Sequence, residues 1–195
     1  MSFFDFVPAS PVDPARRTFV TRSSWMLSAG AVALLAGCDT VAAQKKSAAD
    51  AMATDVHILN TALAAEHEGV AAYQVGAQSG LLQKPVLDLA VQFQGHHKAH
   101  ADLLAATVKK LGGTPVDPRQ KYDFPVEQLR SQADVLRFAA GLEQGAVTAY
   151  LGAVPILDDR ELARAAASIL GDEAMHWAVL RYVLGENPVP AAFVG

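Results

Sequence analysis

The chain has 195 residues, of which 51% are hydrophobic and 18% are charged, and its formal net charge is -4 at pH 7. A chain of this length can bury the core of one domain. The acidic balance provides no broad basic surface for nucleic acid, and the single cysteine, Cys38, excludes an intramolecular disulfide. Long segments with helical periodicity and no strand-like alternation predict an all-α fold.

The N-terminus has the features of an export signal. Residues 16–20 read R-R-T-F-V, an apolar run spans residues 25–36, and residues 35–38 read L-A-G-C. The run is too short to cross a bilayer as a mature helix, and the pattern resembles a twin-arginine signal that ends in a bacterial lipobox. We therefore predict a signal peptide over residues 1–38, a lipid on Cys38, and a periplasmic protein tethered to a membrane. The alternative is an N-terminal membrane anchor or a buried helix in which the cysteine is incidental.

Residues 39–53 are rich in Ala, Lys, Gln, Ser and Asp, which predicts a flexible tether. Helix start and stop signals then predict four helices within residues 54–186, followed by a C-terminal tail over residues 187–195. The helices are expected at about residues 55–78, 85–111, 131–153 and 158–185. Three prolines exclude a helix between the second and the third. Short links on either side of this long connection predict a four-helix bundle made of two helical hairpins joined by a crossover.

The two predicted hairpins repeat one pattern of acids and imidazoles. The first helix of each hairpin carries a glutamate with a tyrosine two turns later, and the second helix carries a pair of polar residues three positions apart. These residues are Glu66 and Tyr73, His97 and His100, Glu143 and Tyr150, and Glu173 and His176. One glutamate from each of two helices, with a carboxylate-x-x-His pair from the others, is the ligand layout of a di-metal site inside a four-helix bundle.

The acids and imidazoles of this pattern lie in the middle of apolar stripes. On the first helix Leu63, Glu66 and Val70 share one face, because their spacing alternates between three and four. Burying an unpaired carboxylate costs several kcal/mol, so three in one core need cationic partners. Since no Lys or Arg lies on any of the four stripes, a divalent metal is the simplest counter-charge.

From about residue 55 to residue 184 the chain resembles the ferritin-like superfamily, which includes rubrerythrins and bacterioferritins. The resemblance implies that Fe, or otherwise Mn, is bound as a pair of ions that react with dioxygen or peroxide. It places one ion among Glu66, His97, His100 and Glu173. It places the other among Glu143, Glu173 and His176.

One position departs from the family pattern, because His97 stands where the family usually has a glutamate that bridges the metals. A neutral imidazole binds one metal and bridges two only after it loses a second proton. Three carboxylates against two divalent ions also leave one excess positive charge. We therefore expect ions that lie further apart, a water-derived bridge, or a single ion.

Other polar residues near the pattern have weaker assignments. Gln94, one turn before His97, either contacts the ligands or is a solvated or interhelical glutamine. Tyr73 and Tyr150 relay electrons, bond the carboxylates or fill layers of the bundle. His96 points about 100° away from the polar stripe, so we expect it at the surface or between helices.

Two functions follow from these residues. The first is an exported oxidoreductase of the ferroxidase or peroxidase type, whose partners are dioxygen, peroxide and Fe²⁺ rather than nucleic acid. The second is a non-catalytic bundle in which the metal is structural or absent, and which acts in stress tolerance or envelope interactions. A homodimer is compatible with either function.

Overall fold

The structure is a computed structural model that describes residues 47–194. Four α-helices make up most of this part of the chain, and residues 47–194 contain no β-strand. The helices are α1 (Ala48–Gln78), α2 (Lys84–Lys110), α3 (Gln132–Ala153) and α4 (Arg160–Val183). The predicted all-α class is therefore confirmed. Cys38, the predicted signal segment and residues 39–46 of the predicted tether lie outside the described residues.

Helix α1 begins earlier than the sequence patterns indicated. The side chain of Ser47 accepts a hydrogen bond from the backbone N–H of Asp50 at 3.1 Å, which satisfies one free donor of the first turn. Residues 48–53, predicted as tether, are therefore helical. Helices α3 and α4 also begin at side-chain caps, namely Ser131 and Asp159.

The helices form two hairpins, as predicted, with α1 packed on α2 and α3 packed on α4. The proline-rich crossover between α2 and α3 contains only one short 3-10 turn, Val126–Gln128. None of the helices within residues 47–194 has both the length and the apolar character required to cross a bilayer.

The core consists of two apolar clusters, and each draws on all four helices. Leu63, Leu104 and Ile169 belong to one cluster, and Phe93 and Leu180 belong to the other. Along every helix the mid-stripe polar residues fall between these two clusters. The packing that buries the apolar residues thus brings four sets of polar side chains into one layer.

A buried carboxylate connects the start of α1 to the start of α4. The side chain of Asp55 accepts hydrogen bonds from the backbone N–H groups of Asp158 at 2.9 Å and Asp159 at 3.1 Å. Asp55 is only 3% exposed, so these amides and the carboxylate satisfy each other where little water reaches.

We predict that Asp55→Ala lowers the free energy of unfolding by about 1–3 kcal/mol, because two backbone donors lose their acceptor. Chemical denaturation followed by circular dichroism measures this loss. The matched control is Asp88→Ala, which removes an exposed pair with Lys84 on α2 and should cost about 0.5 kcal/mol or less. Equal losses in the two variants would contradict a structural role for Asp55.

Candidate metal centre

Six acidic and imidazole side chains meet in the layer between the two apolar clusters. They are Glu66 on α1, His97 and His100 on α2, Glu143 on α3, and Glu173 and His176 on α4. All are buried except His100, whose side chain is 14% exposed. The structure therefore brings together the residues that the sequence pattern singled out, and their role as metal ligands stays a prediction.

The ligand atoms form two groups, and within each group they lie within 4.8 Å of one another. The first group is Glu66, His97, His100 and Glu173, as the resemblance implied. The second contains Glu143, Glu173 and His176, and it also includes His97. Glu173 and His97 are therefore common to both groups.

The imidazole of His97 faces both groups through different nitrogens. Its Nδ1 lies 2.8 Å from Oε2 of Glu66, and its Nε2 lies 3.3 Å from Oε1 of Glu143. Gly69 makes room for this ring, since a Cβ at that position would lie 3.0 Å from His97 Nδ1. The sequence did not indicate a role for Gly69, because the need for a glycine inside a helix becomes visible only when the side chain packed against it is known.

The two tyrosines hold the two glutamates crosswise. Tyr150 on α3 donates a hydrogen bond to Oε1 of Glu66 on α1 at 2.5 Å, and Tyr73 on α1 donates one to Oε1 of Glu143 on α3. Burial and the neighbouring glutamate raise the phenol pKa of both tyrosines far above its usual range, so both remain donors. Two of the alternatives are observed together, because the tyrosines bond the carboxylates and each also belongs to an apolar cluster of the core.

Several buried atoms of the six residues make no hydrogen bond among the described residues. They are Nδ1 of His100, Oε2 of Glu143, both carboxylate oxygens of Glu173 and Nδ1 of His176. Their charged neighbours are nevertheless close, since His100 Nδ1 lies 3.0 Å from Glu173 Oε1 and His176 Nδ1 lies 3.4 Å from Glu143 Oε1. Nitrogen and oxygen atoms that converge without hydrogen bonds fit a transition-metal ion, which accepts a lone pair from each.

The imidazoles themselves provide a counter-charge that the sequence argument did not consider. Burial alone lowers the pKa of His97, but hydrogen bonds with Glu143 and Glu66 outweigh it and raise that pKa to about 10. Against the same burial effect, nearby glutamates raise the pKa of His100 and His176 to about 9. Besides a metal, which the sequence argument gave as the simplest counter-charge, three imidazolium ions can therefore face the glutamates.

The glutamates show the reciprocal effect. Burial raises the pKa of Glu66 and of Glu143, but the close imidazoles of His100, His97 and His176 outweigh it, and the pKa of each glutamate falls below its usual value of 4.5. At pH 7 without metal, the cluster is thus a buried network of carboxylates and imidazolium ions.

Within residues 47–194, the hydrogen bonds of Gln94 go to residues other than the six. Its Nε2 donates hydrogen bonds to the carbonyl of Val70 and to the side chain of Gln74, both at 3.0 Å, and its Oε1 accepts one from Lys98. Gln94 therefore links α2 to α1, which is the interhelical alternative that the sequence left open.

Two polar residues beside the site were missed. Nδ1 of His96 lies 3.0 Å from Oδ2 of Asp172 and 2.9 Å from Nε2 of His176, and Nε2 of His100 lies 3.3 Å from the same Asp172 oxygen. His96 is interhelical, as one alternative stated, but it reaches the site. The repeat contained a signal, since His96 and Asp172 occupy equivalent positions immediately before His97 and Glu173.

The histidine pKa values predict how the stability of the metal-free chain depends on pH. An imidazole whose pKa rises from 6.5 to about 9 or 10 on folding stabilises the fold fully below pH 6.5, and this contribution is lost as pH rises to about 10. The lowered glutamate pKa values contribute stability above pH 4.5 that is lost as pH falls.

We therefore expect the melting temperature of the chelator-treated protein to fall between pH 6.5 and 10. Over the same pH range, the melting temperature of the metal-loaded protein should exceed that of the metal-free protein by a growing margin. The reason is that metal binds deprotonated imidazole, so its affinity rises with pH. Thermal melts with chelator and with added Mn²⁺ measure both trends. A metal-free melting temperature that stays level or rises over this range would contradict the imidazolium network.

Comparisons with known proteins agree with this geometry. The protein-family model for the ferritin-like domain matches residues 54–186 of the sequence. A conserved hypothetical protein from Mycobacterium tuberculosis is 27% identical, with a TM-score of 0.63 over 72% of this chain and 97% of its own. The dodecameric thioferritin of Bacteroides fragilis, a bacterioferritin-related protein, is 25% identical, with a TM-score of 0.61 over 69% of this chain and 86% of its own.

The bacterioferritin of Desulfovibrio desulfuricans, a protein with a diiron site, shows the same fold at 19% identity. Its TM-score is 0.63 over 70% of this chain and 81% of its own. The comparison with curated proteins gives no significant match. Since the family model covers more than half of the chain and the four helices have the matching architecture, the protein belongs to the ferritin-like domain family.

Proposed function

We propose that this protein binds divalent transition-metal ions in its buried Glu/His cluster and uses them in redox chemistry with dioxygen or peroxide. Iron is the first candidate and manganese the second, with Fe²⁺ itself as a substrate if the reaction is a ferroxidase reaction. When bound, such ions would exchange electrons with small oxidants.

The observation that carries this proposal is the set of buried atoms without hydrogen bonds. A carboxylate oxygen that is buried without a hydrogen bond is unfavourable, and Glu173 alone contains two such atoms. Glu173 also belongs to both ligand groups, so it is the residue that would contact both ions.

The surrounding side chains would keep the site in place whether or not a metal is bound. Tyr73 and Tyr150 each hold one oxygen of a glutamate, and the second oxygen of each glutamate is left for the site. Two apolar clusters close the bundle above and below. This arrangement restricts access by water and fixes the direction of the carboxylates.

A cavity of about 220 Å³ between α1 and α3 supports a reaction with a small molecule. It reaches Glu66 and His97, and small residues line most of the rest, including Ala65, Gly141 and Gly145. Small side chains on both helices leave a passage that suits dioxygen or hydrogen peroxide in size.

A second candidate function has an observation of its own. The three imidazoles acquire pKa values of about 9 or 10, so the cluster can neutralise its glutamates without a metal. This favours a non-catalytic ferritin-like bundle with a structural or absent metal, which would act through stress tolerance or envelope interactions.

The location that we propose is the periplasmic face of a membrane, reached by the twin-arginine route and held by a lipid on Cys38. This part of the proposal is supported by residues 16–38 of the sequence alone, which lie outside the described residues.

We predict that protein expressed with iron or manganese retains about one to two ions per chain after a brief chelator wash. Glu173→Gln should lose this retained metal, because Glu173 belongs to both groups, while Glu161→Gln on the exposed start of α4 should keep it. Elemental analysis with assays of oxygen and peroxide consumption gives the result. If the protein retains metal but consumes neither oxygen nor peroxide, the metal is structural. If the wild type retains no metal and a chelator leaves its melting temperature unchanged, the metal-free bundle is favoured.

We also predict that Gly145→Leu slows oxygen or peroxide consumption severalfold without changing metal content. A Cβ at Gly145 meets no atom within 4 Å, so a side chain can start there without a clash, and a leucine in the lining should reduce the volume of the cavity. The matched control is Thr148→Leu, at an exposed position on the same helix that does not line the cavity. If both variants react as fast as wild type, the cavity is not the route to the site.

A further inference from the structure

A third cluster of metal-ligand residues lies on the outer side of the buried layer, between α2 and α4. It consists of Nδ1 of His96, Oδ2 of Asp172 and Nε2 of His176, and the distances between them are 2.9, 3.0 and 3.2 Å. The side chains are 37%, 23% and 2% exposed in that order, so the cluster extends from the surface to the buried centre.

While Asp172 is an ionised carboxylate, protons on the two rings cannot satisfy all three contacts of this triangle. If both ring nitrogens carry a proton, two N–H donors face each other at 2.9 Å. If only one of them carries a proton, the lone pair of the other faces the carboxylate oxygen of Asp172 at 3.2 Å or less. In each of these arrangements one contact is repulsive, because a hydrogen bond needs one donor and one acceptor.

A cation in front of the three atoms removes this conflict, because all three lone pairs can then point to it. Ligand atoms lie roughly 3.0 Å apart when bonds of about 2.1 Å meet at a right angle. Two imidazoles and one carboxylate on a face with open positions are a known ligand set for divalent transition metals, Fe²⁺ among them.

We propose that His96, Asp172 and His176 form an outer, solvent-accessible site for a divalent transition-metal ion. The site does not require metal in the buried centre, since two of its three residues lie outside the six inner ones. Solvent fills the remaining coordination positions, because His96 and Asp172 are partly exposed.

The ring of His176 connects this outer site to the buried one. Its Nε2 belongs to the outer triangle, while its Nδ1 lies 3.4 Å from Oε1 of Glu143 in the inner cluster. A neutral imidazole has only one lone pair for a metal, so an outer ion and an inner ion compete for this ring. An ion in the outer site and an ion at Nδ1 of His176 therefore exclude each other while the ring keeps its one proton.

The test uses Glu173→Gln, which removes the one carboxylate common to both inner groups and leaves the outer triangle intact. Equilibrium titration of the purified chain with Co²⁺, followed by visible absorption, should show one ion per chain. Adding His96→Ala should weaken that binding by more than about tenfold, because a direct ligand is lost. Adding His67→Ala instead should leave it unchanged, since His67 contacts the carbonyl of Val116 and lies outside the triangle.

No Co²⁺ binding by the Glu173→Gln protein, or an affinity that His96→Ala leaves unchanged, would overturn the proposal. If circular dichroism shows that Glu173→Gln is unfolded, Glu66→Gln combined with Glu143→Gln replaces it, because that pair weakens both inner groups and spares the triangle. This experiment can fail or succeed independently of the proposal for the buried centre. Even if the wild type retains no metal in the buried centre, the effect of His96→Ala on Co²⁺ affinity still tests the outer site.

Discussion

Three glutamates are buried in the middle of the bundle, and the neutralisation of their charge is the constraint on which the site depends. Glu143 and Glu173 are both 0% exposed, so water cannot solvate them. Within the layer, two phenols and three imidazoles surround the carboxylates, and no lysine or arginine of residues 47–194 takes part in the ion pairs of the six residues. Imidazoles differ from lysine and arginine because they can release a proton and bind a metal instead. The same six residues are therefore stable as an ionic network and available as ligands.

His97 makes this centre different from a centre bridged only by carboxylates. Its ring lies between Glu66 and Glu143, and each nitrogen faces one of them. In its neutral form the ring provides one lone pair, so it serves one group at a time, whereas a carboxylate has an oxygen for each metal. Glu173 is then the one carboxylate common to both groups. The geometry favours two unequal half-sites over a symmetric pair.

The two sides of the centre differ in chemistry. The side between α1 and α3 has small residues and a cavity of about 220 Å³ that ends at Glu66 and His97, which suits a small neutral oxidant. The side between α2 and α4 has His96 and Asp172, which are polar, partly exposed and suited to a cation. Metal and oxidant would thus approach the same residues from different faces, and neither would have to displace the other.

Much of the fold and the list of six candidate residues followed from the sequence, because helical periodicity, capping residues and the internal repeat are local properties of the chain. The contacts of these residues were decided by the tertiary structure. Tyr73 and Tyr150 bond glutamates of the other hairpin, and Gln94 bonds α1, because partners across helices depend on how the helices pack. His96 reaches the site although it points away from the polar stripe, because α4 lies on that side of α2. The protonation of the histidines is likewise a tertiary property, since it is set by the distance of each imidazole from carboxylates on other helices.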